Sequence, residues 1–130
     1  NDPFVLDKWF ALHANTERPD ILSRINMLMG HSQFTINNPN RVRALVATFS
    51  FYNVSGFHNL DGSGYKFVAD YLIQLNKVNP QVAARIITPL IQWQKVDPSR
   101  QQLMKHQLVR IGDTPELSKD LYEKITKSLR

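Results

Sequence analysis

Two stretches of the chain repeat one arrangement of polar groups. "NNPNRVRALV" (residues 37–46) and "VNPQVAARII" (78–87) each set Asn-Pro before an apolar run, with an arginine four or five residues past the proline. Proline is best tolerated at the first position of a helix, where its missing N–H would be unpaired anyway, and a preceding asparagine caps the free amides. The arrangement predicts two helix starts, with Arg43 and Arg85 about a turn inside them. An arginine there brings five donors in a planar fork and a permanent charge, close to unpaired backbone N–H groups. The chemistry on offer is the binding of anions or carbonyls. On a helix from Pro80, Gln81, Arg85, Thr88 and Gln92 share one face, at i, i+4, i+7 and i+11, opposite Val82, Ile86, Leu90 and Trp93. On a helix from Pro39, Asn40 and Arg43 are an i, i+3 pair. A solvated face is the ordinary meaning of such a stripe, so the pattern alone marks candidates.

No catalytic centre can be assembled from the other reactive residues. His13, His31, His58 and His106 stand alone in sequence, and none forms the HExxH spacing that puts two imidazoles and a carboxylate on one helix face. They read as surface or core-edge residues. There is no cysteine, so disulfides and thiolate metal sites are excluded, and GxSxG is absent. "DGSGY" (61–65) lacks the length and the lysine of a phosphate-binding loop and reads as a tight turn, with Ser63 or Asp61 capping the next helix. Asn53-Val54-Ser55 matches the glycosylation acceptor pattern, a triplet common by chance.

Proline also marks the elements that must hold these groups. Asn38-Pro39, Asn79-Pro80, Asp97-Pro98 and Thr114-Pro115 each pair a capping side chain with a proline, and Arg18-Pro19 is a weaker fifth start, with Thr16 as its cap and Gly30 as its stop. With a start near residue 63, six starts lie roughly 17 to 24 residues apart behind a leading helix. Val42, Leu45, Val46 and Phe49 show helical spacing, and so do Val68, Tyr71, Leu72 and Leu75. Val5, Trp9 and Leu12 mark the first helix, and Leu117, Leu121, Ile125 and Leu129 the last. Pro89 should kink or break the helix from Pro80 near Thr88. No alternating strand pattern of useful length occurs. The expected architecture is all-α, about seven or more helices in antiparallel hairpins forming a solenoid-like (HEAT/armadillo-like) curved bundle over residues 1–130, as one domain.

Composition is that of an ordinary globular chain, with 42% hydrophobic and 21% charged residues. No apolar run approaches the roughly 20 residues of a membrane span, and no signal peptide opens the chain. The first residue is Asn1 rather than Met, with helical patterning under way by Phe4, as expected of a piece of a longer protein. A net charge of +5 could suit nucleic acid or membrane, but the basic residues are scattered and no basic run occurs. Neither partner is expected.

With these residues in view, the chain resembles the C-terminal helical domain of bacterial aminopeptidase N, a family of zinc-dependent exopeptidases. The resemblance rests on "FVLDKWFALHA", "FTINNPNRVRAL", "FHNLDGSGYKFVADYLIQLNKVNPQVAARIITPLIQW" and "SKDLYEKITKSLR", which span nearly the whole length. It implies a cytoplasmic parent enzyme that removes N-terminal amino acids from peptides, with zinc held by an HExxH helix and a further glutamate in a separate catalytic domain. It implies no metal, cofactor or catalytic residue here. The helical domain would close over its own catalytic domain and wall a cavity, with Arg43, Gln81 and Arg85 facing the peptide substrate. Two readings stand beside it, a free-standing helical scaffold for a partner protein and a basic nucleic-acid-binding module; the latter lacks clustered charge with aromatic platforms.

Overall fold

Asp2 opens the first helix by accepting a hydrogen bond from the Phe4 amide at 2.9 Å, with Pro3 in the first turn. The computed structural model describes residues 2–130, and no strand occurs among them. α1 spans Pro3–Ala14, α2 Ile21–Met29 and α3 Pro39–Val42. α3 runs through a π-helical turn, Arg43–Ala47, directly into α4, Thr48–Tyr52. Then come α5 (Val54–Phe57), α6 (Ser63–Val78), α7 (Pro80–Ile86), a 3₁₀ segment (Leu90–Lys95), α8 (Pro98–Gly112) and α9 (Lys119–Leu129).

The caps follow their side chains. Asn38 accepts from the Arg41 amide at 3.1 Å, Asn79 from Val82 at 3.2 Å and Asp97 from Arg100 at 3.1 Å, each with proline next. Two expected starts move. The Thr16 hydroxyl donates back to the Leu12 carbonyl and so closes α1, and α2 begins only at Ile21, without a side-chain cap. The Thr114 hydroxyl likewise turns back to Arg110, Glu116 takes the left-handed conformation at φ 61°, and Ser118 caps α9 instead. Gly30 does end α2, and α7 stops three residues before Pro89, where the chain tightens into the 3₁₀ segment.

α6 is the central helix and packs on α7 and α8, while α8 meets the 3₁₀ segment and α9. α1 packs on the π turn and on α2, and α7 packs on α9 and on the π turn. One hydrophobic cluster runs through all of these, with Phe10, Phe49, Phe57, Tyr65, Leu72 and Ile86 among its largest members. Val42, Leu45, Val46 and Phe49 are fully buried as their spacing predicts. α1 forms where Val5, Trp9 and Leu12 mark it, but those residues do not define its buried face. It buries Phe10 and Ala14, whereas Val5 and Leu12 are 62% and 73% exposed.

Candidate functional site

The two Asn-Pro starts fix the candidate residues one turn at a time. In α3 the cap at Asn38 sets the first turn, and the two arginines that follow diverge. Arg41 turns inward, with only 4% of it exposed. Its Nε donates to Asp7 Oδ1 at 2.8 Å, an Nη donates to the Gln33 carbonyl, and its guanidinium lies 5.2 Å from the Phe10 ring centroid. Arg41 is thus a tie between α1 and α3, and the local sequence pattern did not mark it. The signal it lacks is local: Asp7 is 34 residues away.

Arg43 begins the π turn and stays exposed, its Nη1 donating to Asn40 Oδ1 at 3.1 Å. In α7, Gln81 and Arg85 are exposed one turn apart, above the buried Val82 and Ile86. Because α7 packs against the π turn, the segments carrying Arg43 and Arg85 are neighbours. The longer stripe does not survive as one face. α7 ends at Ile86, the Thr88 hydroxyl folds back to the Arg85 carbonyl at 2.7 Å, and Gln92 leaves helical geometry at φ −92°, ψ 26°. Thr88 and Gln92 instead line a cleft of about 280 Å³ with Ser50, His58 and Lys95.

Four other arginines are paired with carboxylates, while Arg24 lies 3.4 Å from His13 Nδ1. Arg18 pairs with Asp20, Arg41 with Asp7, Arg100 with Asp97 and Arg110 with Asp70. Hydrogen bonding from Arg100 holds the Asp97 carboxyl below its usual range. Burial pushes Asp70 the other way, and Lys66 with Arg110 more than offsets it. Among the described residues neither Arg43 nor Arg85 meets a carboxylate, and Arg43's partner is a neutral amide. Such a pair of exposed, uncancelled cations can bind an anion or polarised carbonyls through charge-assisted hydrogen bonds.

The remaining motifs are structural. Asp61 accepts from the Ser63 amide at 2.8 Å and Gly62 turns at φ 79°, so "DGSGY" is the start of α6. Asn53 is buried, donating to the carbonyls of Ala14 and Thr16 and accepting from the Gly56 amide. No three His, Cys, Asp or Glu side chains converge among the described residues, so these donors do not fit a zinc site.

An all-helical stack with this surface is a repeat-type domain, and the chain belongs to the family described as a domain of unknown function (DUF3458_C) with ARM repeats, matched over residues 1–130. It is similar to the C-terminal part of bacterial aminopeptidase N. It is 52% identical over 130 residues to aminopeptidase N of Haemophilus influenzae, and 46% identical over 125 residues to that of Escherichia coli. To aminopeptidase N of Caulobacter vibrioides it is 44% identical over 128 residues. These matches cover 100%, 96% and 98% of this chain, which spans 15%, 14% and 15% of the relatives' lengths. The crystal structure of Legionella pneumophila aminopeptidase A in complex with aspartic acid superposes with a TM-score of 0.92 at 36% identity, covering 99% of this chain and 15% of that one.

Proposed function

We propose that this chain is the C-terminal domain of a cytoplasmic, zinc-dependent aminopeptidase that removes N-terminal amino acids from peptides. The domain closes over its own catalytic domain, walls the substrate channel, and contributes no catalytic group. Zinc and the groups that activate water belong to the parent's catalytic domain, and neither nucleic acid nor membrane is a partner. Arg43, Gln81 and Arg85 are the residues that meet the peptide.

One observation carries this reading: two exposed arginines without carboxylate partners sit on segments that pack against each other. Similarity along the whole chain to aminopeptidase N supports the reaction class. A channel-wall arginine orients a peptide by its carbonyls or terminal carboxylate, which lowers the cost of aligning the far end for reaction.

Arg85→Ala in the full-length enzyme tests it, with kinetics on di- to pentapeptides. The expected result is a weaker kcat/KM that depends on peptide length, since a fixed cation reaches only peptides long enough to meet it. Unchanged kinetics across that series would remove Arg85 from the substrate path.

A further inference from the structure

We infer that Lys124 is a positioning residue for Arg85, fixing the peptide group that leads into it; this rests on the channel-wall reading above. Arg85 is the last but one residue of α7, at an end where the helical ladder fails. Pro89 has no N–H to offer the Arg85 carbonyl four residues back. The Thr88 amide and hydroxyl take that carbonyl instead, at 3.2 and 2.7 Å. In a continuing helix the Thr88 amide would have served Ala84, so the Ala84 carbonyl loses its donor, at a residue only 2% exposed. Lys124 Nζ reaches across from α9 and donates to that carbonyl at 3.1 Å.

The Ala84 carbonyl and the Arg85 amide belong to one planar peptide group, so a bond to the first orients the second. Both peptide groups flanking Arg85 are therefore held by bonds outside the α-helical ladder. A terminal turn without such bonds frays, and a cation at this end also meets the negative pole of the helix dipole. Asp120 does not divert Lys124, since their contact is long, 3.8 Å, and Asp120 is exposed. α9 bonds the stretch after the break as well. Ser128 Oγ donates to the Ile91 carbonyl at 2.6 Å, and Trp93 Nε1 donates to the Ser128 carbonyl at 3.2 Å. Those bonds lie beyond Pro89, in the 3₁₀ segment. Among the described residues, Lys124 is the one side chain of α9 hydrogen-bonded to α7 itself.

The test uses the full-length aminopeptidase that carries this chain, with a tetrapeptide as substrate. Lys124→Met keeps the stem and removes the donor. It is expected to raise KM roughly two- to fivefold with kcat nearly unchanged, because the Arg85 cation is displaced and not lost. Arg85→Ala should raise KM further, and Lys124→Met should add nothing in that background. Lys124→Arg, which keeps a charged donor, should stay close to wild type. Ser128→Ala loosens α9 beyond the break and should leave KM unchanged. If Arg85→Ala raises KM and Lys124→Met does not, the positioning role is overturned while the channel-wall reading stands. If Arg85→Ala has no effect, Arg85 is no channel residue and the role of Lys124 falls with it. An equal rise with and without Arg85, or one matched by Ser128→Ala, means that Lys124 only secures α9, and it overturns the inference. Should Lys124→Met fail to fold, Lys124→Gln, with a neutral donor on a shorter stem, carries the same test against the Arg85→Ala background.

Discussion

The hydroxyl of Tyr65 is hydrogen-bonded to Nδ1 of His58 at 2.6 Å, joining the first turn of α6 to the end of α5. Arg100 reaches the same point from α8, its Nε donating to the His58 carbonyl at 2.8 Å while its Nη1 pairs with Asp97. Burial pushes the Tyr65 phenol up to about 12, so it stays protonated at any ordinary pH. Burial, then the Arg100 charge, lowers the His58 imidazole below its usual 6.5, against a smaller opposing pull from Asp97.

A histidine with a depressed value in the folded state makes stability rise with pH. Below its ordinary 6.5 the unfolded chain takes up a proton that the folded chain resists, so stability is full above that point and falls as pH drops towards the lowered value. His13 is lowered too, by burial and then by Arg24 and Arg18, and contributes with the same sign. The carboxylates held low at Asp61, Asp70 and Asp97 act in a separate window, losing their contribution only below the ordinary carboxylate value of 3.8. The melting temperature should therefore fall as pH is taken from about 7.5 to about 5.5, and fall less in His58→Gln. Equal slopes for wild type and variant would remove His58 as the cause.

Gly64 should tolerate no side chain. A Cβ there would lie 2.3 Å from the Gly56 carbonyl oxygen and 2.4 Å from that of Phe57, both of them backbone. Backbone cannot swing aside as a side chain can, so α5 and α6 must separate. Gly64→Ala is expected to destabilise by about 1–3 kcal/mol, measured by urea unfolding, despite the better helix propensity of alanine. Stability equal to wild type would mean that α5 yields freely.

The two arginines of "NRVR" should behave oppositely. Asp7→Ala leaves the Arg41 cation buried without a carboxylate, held by the Gln33 carbonyl and the Phe10 ring, at an expected cost of about 2–4 kcal/mol, discounted because Asp7 is itself partly exposed. Arg43→Ala removes an exposed side chain and should stay within about 0.5 kcal/mol of wild type. Thermal unfolding of both variants checks the contrast. Equal losses would contradict the division of labour between these neighbours.

What the sequence made legible was local. Asn38, Asn79 and Asp97 were readable as caps because an Asx side chain and the proline after it specify a helix start within a few residues. Thr114-Pro115 carries the same signature and fails, because Ser118 offers a competing cap after the left-handed turn at Glu116. The π turn has no sequence mark, since packing against α1 and α7 is what surrounds it. Periodicity located α1 but not its buried face, because "PFVLDKWFALHA" is apolar on both sides and only the neighbours decide which side is covered. At the site, the exposure of Arg43 and Arg85 follows from helix phase, whereas the inward turn of Arg41 depends on the distant Asp7.

That ambiguous helix leads to the last expectation. Phe4, Val5 and Leu12 on α1 and Tyr52 at the end of α4 are exposed large apolar residues, and a cavity of about 410 Å³ lies between the helices, lined in part by Lys8, Leu12, Thr48 and Tyr52. A helix apolar on both sides is stable in water only with both sides covered, and an open apolar surface of this kind drives association. α9, at the other end of the stack, instead turns Lys119, Asp120, Glu123 and Lys127 outward, as a polar terminal repeat does. The chain in isolation should therefore associate through α1 as its concentration rises, measurable by sedimentation velocity. Leu12→Lys should shift it towards monomer without loss of stability, because Leu12 contributes little to the core. A wild-type chain that stays monomeric at high concentration would mean that Lys8 and the other polar residues of this face suffice to keep α1 in water.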